Sequence, residues 1–244
     1  MNQYTYTKQI YSMQATVGYF KLMEDITMVN PWQKTYTVGN GDYPQGDSGW
    51  HGVFEGNNKK ISNFNLERSG NSANAGMFYA LGKNSVIRNL KLEGINDAYY
   101  GAIGTGGGSG LLAYSVAGGT IENVELTLNV SDTYTPNTDP ICAGVFGKLH
   151  ETQYNAKLVL NNVKIIAKDD TMANKTTIAP LGEMNYSVAN NMIEMTNVVF
   201  AGFGNILYDT NHTAISNLDG LNTIATCNNV QVYATLAEYE ATLK

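Results

Sequence analysis

Carboxylates are the side chains with the most obvious catalytic potential in this sequence, because hydrolysis of a glycosidic bond needs two of them on one face of a fold. They are dispersed along the chain, and the two most suggestive fragments are NTD at 137–139 and DD at 169–170. Both fragments lie in stretches rich in Asn, Thr and Pro, which are typical of loops. We interpret them as solvated turn residues and assign no catalytic residue.

The histidines and cysteines do not form a pattern of metal ligands. His51, His150 and His212 are widely separated, and none has a cysteine or a second histidine at ligand spacing. We therefore predict no metal and no cofactor. Cys142 and Cys227 are too few for a disulfide scaffold and lie in apolar, strand-like contexts, which favours buried free thiols over the alternative of one disulfide.

Composition limits the classes of structure and function. The 244 residues are 43% hydrophobic, enough for a real core, and the net charge of -6 leaves no basic patch for nucleic acid. We expect no membrane insertion, because no apolar run reaches about 18 residues, and the N-terminal region lacks the pattern of a signal peptide. Asn, Thr, Gly and Tyr are plentiful, which favours strands and tight turns and predicts an all-β protein.

The dominant pattern is a recurring motif, apolar-x-Asn-apolar-x-apolar, of which IRNLKL at 87–92 is the clearest copy. Its central asparagines are 26, 34, 39, 35 and 32 residues apart, by subtraction of their numbers. A bounded but irregular period of this kind predicts stacked structural repeats with loops of varying length. The six central residues are Asn63, Asn89, Asn123, Asn162, Asn197 and Asn229.

The spacing inside the motif predicts a bend at the asparagine. The step from Ile87 to Leu90 is three residues, so both side chains can point inward only if a residue between them leaves the extended conformation. Asn89 suits that position because asparagine tolerates positive φ better than other non-glycine residues. In coils stacked about 4.8 Å apart, we expect the six asparagines to form a ladder of hydrogen-bonded side-chain amides.

These patterns predict an all-β fold, a parallel β-solenoid of about six or seven coils. The alternative is a β-sandwich, which would show recurrent hairpin signals, whereas Asn40-Gly41 does not recur. We expect an N-terminal cap segment over 1–18, the solenoid over 19–233 and a C-terminal capping helix over 234–244. Thr235 and Glu238 have the spacing of a helix capping box.

Three segments carry a resemblance to a known class of protein. They are YFKLMEDITM…W at 19–32, WHGVFEGNNKKISNFNL at 50–66 and NAGMFYALGKNSVIRNLKLEG at 74–94. They resemble the repeats of right-handed parallel β-helix regions in bacterial and bacteriophage surface proteins, over roughly 19–232. The resemblance implies a right-handed parallel β-helix. It implies little about activity, because such helices serve as adhesins, virion appendages, stalks and carbohydrate-active enzymes.

Aromatic residues in the predicted loops are candidates for binding carbohydrate or a partner protein, because their rings suit sugar faces. For Trp50, and also for Trp32, we favour the alternative that the ring covers the solenoid wall or an interface with a neighbouring chain. The candidate binding residues are Tyr43, Trp50, Tyr99, Tyr100 and Tyr134.

Taken with the resemblance, these features predict a non-catalytic structural or adhesive component of a bacteriophage virion or bacterial cell surface. The alternative is a polysaccharide depolymerase or lyase of the β-helix tailspike type. The expected partners are other virion or cell-surface proteins, further copies of the chain in a homotrimer, and glycan. The expected location is the virion or the extracellular surface, and Met1 without a secretion signal favours the virion.

Overall fold

Two mainly parallel β-sheets make up most of the described residues in a computed structural model of the protein. The structure describes residues 18–33, 50–67, 76–97, 109–130, 143–149, 157–174, 178–184 and 191–244. From residue 78 to residue 201 the described strands alternate between the two sheets, so each coil there places one strand in each of them. This arrangement is a parallel β-solenoid, which confirms the predicted fold class.

The first sheet has ten strands and stacks them in the order β1-β4-β7-β9-β11-β13-β16, with β2, β3 and β5 beside this path. All its pairings among the described residues are parallel. Its strands are β1 (Tyr19–Lys21), β2 (Ile26–Thr27), β3 (Trp32–Gln33), β4 (Val53–Ser62), β5 (Leu66–Glu67), β7 (Val86–Asp97), β9 (Gly119–Val130), β11 (Leu158–Ala167), β13 (Ile193–Ala201) and β16 (Ala225–Tyr233).

The second sheet has six strands in the order β15-β14-β12-β10-β8-β6. Its pairings are parallel except for that between β14 and β15, which is antiparallel. Its strands are β6 (Phe78–Leu81), β8 (Ser109–Val116), β10 (Ala143–Leu149), β12 (Glu183–Met184), β14 (Leu207–Tyr208) and β15 (Ala214–Ile215). The coil count is slightly lower than the six or seven predicted.

The core consists of columns of apolar side chains stacked from coil to coil. In one column Ile87 pairs with Ile121, Ile121 with Leu160, and Leu160 with Met195. All four side chains are at most 1% exposed. Burial of each such side chain contributes roughly 1.5–3 kcal/mol, so the repeated apolar positions are the main stabilising element of the solenoid.

Short helices also occur among the described residues. They are a 3-10 helix (Asp170–Asn174), α1 (Leu218–Asn222) and α2 (Leu236–Ala241). In α2 the Thr235 side chain accepts from the Glu238 backbone N–H and the Glu238 side chain accepts from that of Thr235, which is the predicted capping box. No helix in the described ranges is long and apolar enough to cross a membrane. The predicted N-terminal cap lies almost entirely outside the described residues.

Candidate functional site: an asparagine-lined groove

A ladder of asparagines turns the first sheet through one corner in each successive coil. The five residues that follow each other in register have φ between 52° and 54°, the left-handed region that asparagine tolerates. This bend lets Ile87 and Leu90, three residues apart, both point into the core. The ladder residues are Asn89, Asn123, Asn162, Asn197 and Asn229.

At three steps of the ladder, the side-chain amide of one coil bonds to that of the preceding coil. The Nδ2 atom of Asn123 donates to Asn89 Oδ1 at 3.1 Å, and that of Asn162 donates to Asn123 Oδ1 at 2.8 Å. Near the C-terminal end, Asn229 Nδ2 donates to Asn197 Oδ1 at 2.7 Å. From Asn123 onward the side chains are exposed, so the ladder lies on the outer surface of the solenoid.

Asn63 does not belong to this ladder, contrary to the prediction from the motif. Its φ of 54° makes a bend, but it lies between the pairs Ile61–Leu92 and Leu66–Asn96 and therefore faces the segment 93–95. At that second corner the backbones come very close, since a Cβ on Gly94 would lie 1.8 Å from the Phe64 carbonyl oxygen.

The first-coil partner of Asn89 is instead a bulge in β4. Glu55 pairs with Arg88 and Lys59 with Leu90, so the three residues 56–58 face Asn89 alone. A Cβ on the first of them, Gly56, would lie 2.4 Å from the Asn89 carbonyl oxygen, which explains the glycine.

The Glu55 carboxylate ends the ladder at this bulge. Asn89 Nδ2 donates to its two oxygens at 3.0 and 3.2 Å, Arg88 Nε at 2.8 Å and the Asn57 backbone N–H at 2.8 Å. The side chain is only 8% exposed. Burial by itself would raise the pKa of Glu55, but the hydrogen bonds from Asn89, Asn57 and Arg88 outweigh it and hold the pKa below its ordinary value.

A small open groove of about 120 Å³ follows the ladder on the outer surface. Asn58 lies at one end, and the apolar floor residues Leu90 and Val124 are 1% and 2% exposed because they belong to the core. The groove therefore presents mainly amide groups, charged groups and the aliphatic stems of lysines. The polar lining residues that face it are Asn89, Asn123, Asn162, Lys91, Glu125 and Lys164.

Charges of opposite sign alternate along one wall of the groove. Glu125 pairs in register with Lys91 in the coil before it and with Lys164 in the coil after it. Two further ion pairs join coils across the same sheet, Lys60–Glu93 at 2.5 Å and Lys168–Glu93 at 3.5 Å. The hydrogen bond from Lys60 lowers the pKa of Glu93. Lys60 is in register with Lys91, so two lysines are adjacent at one end, but the described part of this wall carries charges of both signs.

Trp50, a predicted binding residue, has its ring in the core. It is 2% exposed, stacks on Phe78 at a centroid distance of 4.8 Å and lies 6.4 Å from Phe20. A ring enclosed in this way has no face for a sugar, so its assignment to a binding surface is corrected. Trp32 is also buried and packs against Phe64 at 5.2 Å.

The other predicted binding residues, Tyr43, Tyr99, Tyr100 and Tyr134, lie outside the described residues and stay predictions. The same is true of the NTD fragment at 137–139. In the DD fragment, Asp169 accepts from Asn129 Nδ2 at 2.8 Å and Asp170 accepts from the Leu236 backbone N–H at 3.1 Å. Both carboxylates thus support loop and helix structure.

A second polar cluster, which sequence reasoning missed, lies on the second sheet. Glu183 Oε1 lies 2.6 Å from His212 Nδ1, and its Oε2 lies 3.8 Å from Lys148 Nζ. Glu183 and Lys148 are buried, whereas the His212 side chain is 48% exposed. A carboxylate that orients an imidazole in this way can prepare its other nitrogen to accept a proton.

His212 is fixed by the turn that carries it. Its φ is 61°, and its backbone N–H donates to the Asp209 carbonyl at 2.9 Å. The Asp209 carboxylate also accepts from the N–H groups of Asn211 and Thr213, both at 2.8 Å. Among the residues that the structure describes, no group of three or more His, Cys, Asp or Glu side chains is arranged to hold a metal ion.

One free cysteine, Cys227, is described, and it lies half-buried in β16. Burial raises the pKa of its thiol. Cys142 lies outside the described residues.

Comparisons with protein-family models, with curated proteins and with solved structures found no significant match for this chain.

Proposed function

We propose that this protein is a non-catalytic structural or adhesive component on the outside of a bacteriophage virion or bacterial cell. The observation that carries the proposal is the outward-facing groove, built on the same amide ladder that joins one coil to the next. Parallel strands paired along the whole stack make a stiff element, because each coil is hydrogen-bonded to its neighbours. A stiff element with a polar outer groove suits a spacer or a binding surface.

The partners that fit this role are other virion or cell-surface proteins, copies of the chain in a homotrimer, and glycan. Resemblance of the repeats to surface-protein β-helices supports this choice. The mixed charges beside the groove do not favour nucleic acid, since Glu125 separates Lys91 from Lys164.

Locating the native protein is the direct test. Intact particles and the secreted, cell-surface and cytoplasmic fractions of the source culture would be separated and probed with an antibody against the chain. We expect the protein on particles or at the cell surface. Its presence in the cytoplasm alone, after particles have been assembled and purified, would contradict the proposal.

A depolymerase is the second candidate, and the Glu183–His212 contact is the observation in its favour. If the pair acts as a base, the purified chain should release new reducing or unsaturated ends from a surface polysaccharide, and His212→Ala should abolish that release. Thr213→Ala is a suitable control, because it changes the same turn and leaves the imidazole in place. Lack of any product from a panel of polysaccharides would leave the non-catalytic proposal as the better one.

A further inference from the structure

Unused hydrogen-bonding capacity along the ladder points to a ligand class for the groove. An asparagine amide has two N–H donors and an oxygen with two lone pairs. At Asn123 the ladder uses one donor, to Asn89, and one lone pair, from Asn162. One N–H and one lone pair therefore remain at this exposed residue, which lines the groove.

Asn162 likewise keeps one N–H and an accepting oxygen one strand spacing away, about 4.8 Å. Asn89 donates through Nδ2 to both Glu55 oxygens, so it offers the groove the remaining lone pair of its Oδ1. Asn89, Asn123 and Asn162 occupy three consecutive coils along the groove. A ligand that matches them must be extended along the solenoid axis, must donate at all three residues and must also accept at Asn123 and Asn162. Sugar hydroxyl groups do both, and an extended polysaccharide repeats its rings over a similar distance.

The charges and the apolar residues of the groove narrow the choice. A polyanion running along the wall would meet Glu125 between the two lysines, and a polycation would meet Lys91 and Lys164. A protein partner would need accessible apolar anchors, but Leu90 and Val124 are 1% and 2% exposed.

We propose that the asparagine-lined groove binds an uncharged, extended polysaccharide across the coils of Asn89, Asn123 and Asn162. This inference rests on the proposed non-catalytic surface role and names its ligand. The ladder continues to Asn197 and Asn229, but these two asparagines do not line the groove. Beside them, Val199 and Gln231 occupy the positions that Lys91, Glu125 and Lys164 occupy in the earlier coils.

That difference provides a matched pair of variants. Asn123→Gly and Asn197→Gly each remove one ladder amide at a left-handed backbone position, which glycine adopts without strain. Both variants should fold, and Asn123→Gly should lose somewhat more thermal stability, because Asn123 takes part in two ladder hydrogen bonds and Asn197 in one. Only Asn123→Gly removes an amide from the groove.

Affinity electrophoresis of the full chain in gels containing dextran, hydroxyethyl cellulose or mannan tests the proposal, with alginate as an anionic comparison. We expect at least one neutral polymer to retard the wild-type protein. The apparent affinity for that polymer should fall about tenfold in Asn123→Gly, which corresponds to one or two lost hydrogen bonds, and should change little in Asn197→Gly. Retardation by none of the neutral polymers, retardation by alginate alone, or equal weakening in both variants would overturn it.

Failure of this inference is distinguishable from failure of the surface role. If the protein is found on particles or at the cell surface but binds no neutral polysaccharide, the groove assignment is wrong and the structural role stands. If it is found only in the cytoplasm, the surface role is wrong whatever the gels show.

Discussion

Replacement of Glu55 by alanine tests whether the ladder needs a charged acceptor at its first coil. The carboxylate accepts from the Asn57 backbone, from Arg88 and from Asn89, at distances of 2.8 to 3.2 Å. In Glu55→Ala these three donors lose their acceptor at a site that is 8% exposed. The ladder then begins at Asn89 with a side-chain N–H that has lost its acceptor.

The expected loss of stability follows from those contacts. A hydrogen bond to a charged group contributes about 1.5–3 kcal/mol, and a neutral one about 0.5–1.5 kcal/mol. The Arg88 side chain is 38% exposed and can turn to water, so its contribution is discounted. Asn89 is only half-buried, so its amide can also recover part of its hydrogen bonding from water. The net destabilisation should therefore be about 2–4 kcal/mol.

Glu122→Ala is the matched control. Glu122 occupies the same outer position two coils later, on the other side of Arg88, and lies 3.9 Å from Arg88 with 32% of its side chain exposed. A surface pair of this kind contributes about 0–1 kcal/mol. Urea unfolding followed by circular dichroism, with hydrogen exchange to locate the opened coil, compares the two variants. Equal midpoints for Glu55→Ala and Glu122→Ala would refute the reasoning that Glu55 anchors the ladder.

Three further predictions follow from the same region and from the core. Because the pKa of Glu55 is lowered in the folded state, the unfolded state binds more protons. The contribution of Glu55 to the free energy of unfolding is therefore complete above the ordinary Glu pKa of about 4.3, and it is lost as pH falls through the folded pKa. Thermal unfolding between about pH 3 and pH 7 should therefore show a shallower acid loss in Glu55→Gln than in the wild type. Gly56→Ala should cost about 1–3 kcal/mol in urea unfolding, since its Cβ would lie 2.4 Å from the Asn89 carbonyl oxygen, and an unchanged midpoint would contradict the close approach. Trp50→Ala should cost about 3–5 kcal/mol in the same assay while retardation by a neutral polysaccharide persists, and lost retardation in a folded variant would contradict the core position of the ring.

Hydrophobic spacing and the recurring asparagine together are enough to predict the solenoid. The three-residue step from Ile87 to Leu90 is incompatible with a straight strand whose apolar side chains face one core. An asparagine within that step tolerates positive φ and therefore allows a bend there. Because the motif recurs at a bounded interval, it predicts one such corner in every coil. The structure has this corner at Asn89, with a φ of 53°.

The same pattern misassigns the first coil, for a physical reason. ISNFNL at 61–66 matches the motif, but the coil register depends on backbone pairing across the bulge at 56–58. Residues 56–58 stand where a regular coil would have a single asparagine. The Glu55 carboxylate accepts the hydrogen bond from Asn89 that an asparagine side chain accepts elsewhere in the ladder. A motif search for asparagine cannot detect a ladder position occupied by a carboxylate.

Contacts between coils on the second sheet are harder still to predict. Lys148 and Glu183 become neighbours only because the connection between them has the length that brings both strands into register. A faint signal exists, since FGKL at 146–149 and LGEM at 181–184 share a glycine before the charged residue. Nothing in that signal indicates His212, which reaches Glu183 from a turn in the following coil.

The outward position of the ladder changes where function should be sought. If the asparagines were buried, the fold and the binding surface would be separate, and the loops would be the natural place for a site. Here Asn123 both links two coils and lines a groove, so one substitution affects stability and binding together. The two effects can be separated only by comparing ladder positions inside and outside the groove. Asn197, in the same ladder but beyond the groove, therefore indicates how much of any binding defect at Asn123 is due to lost stability.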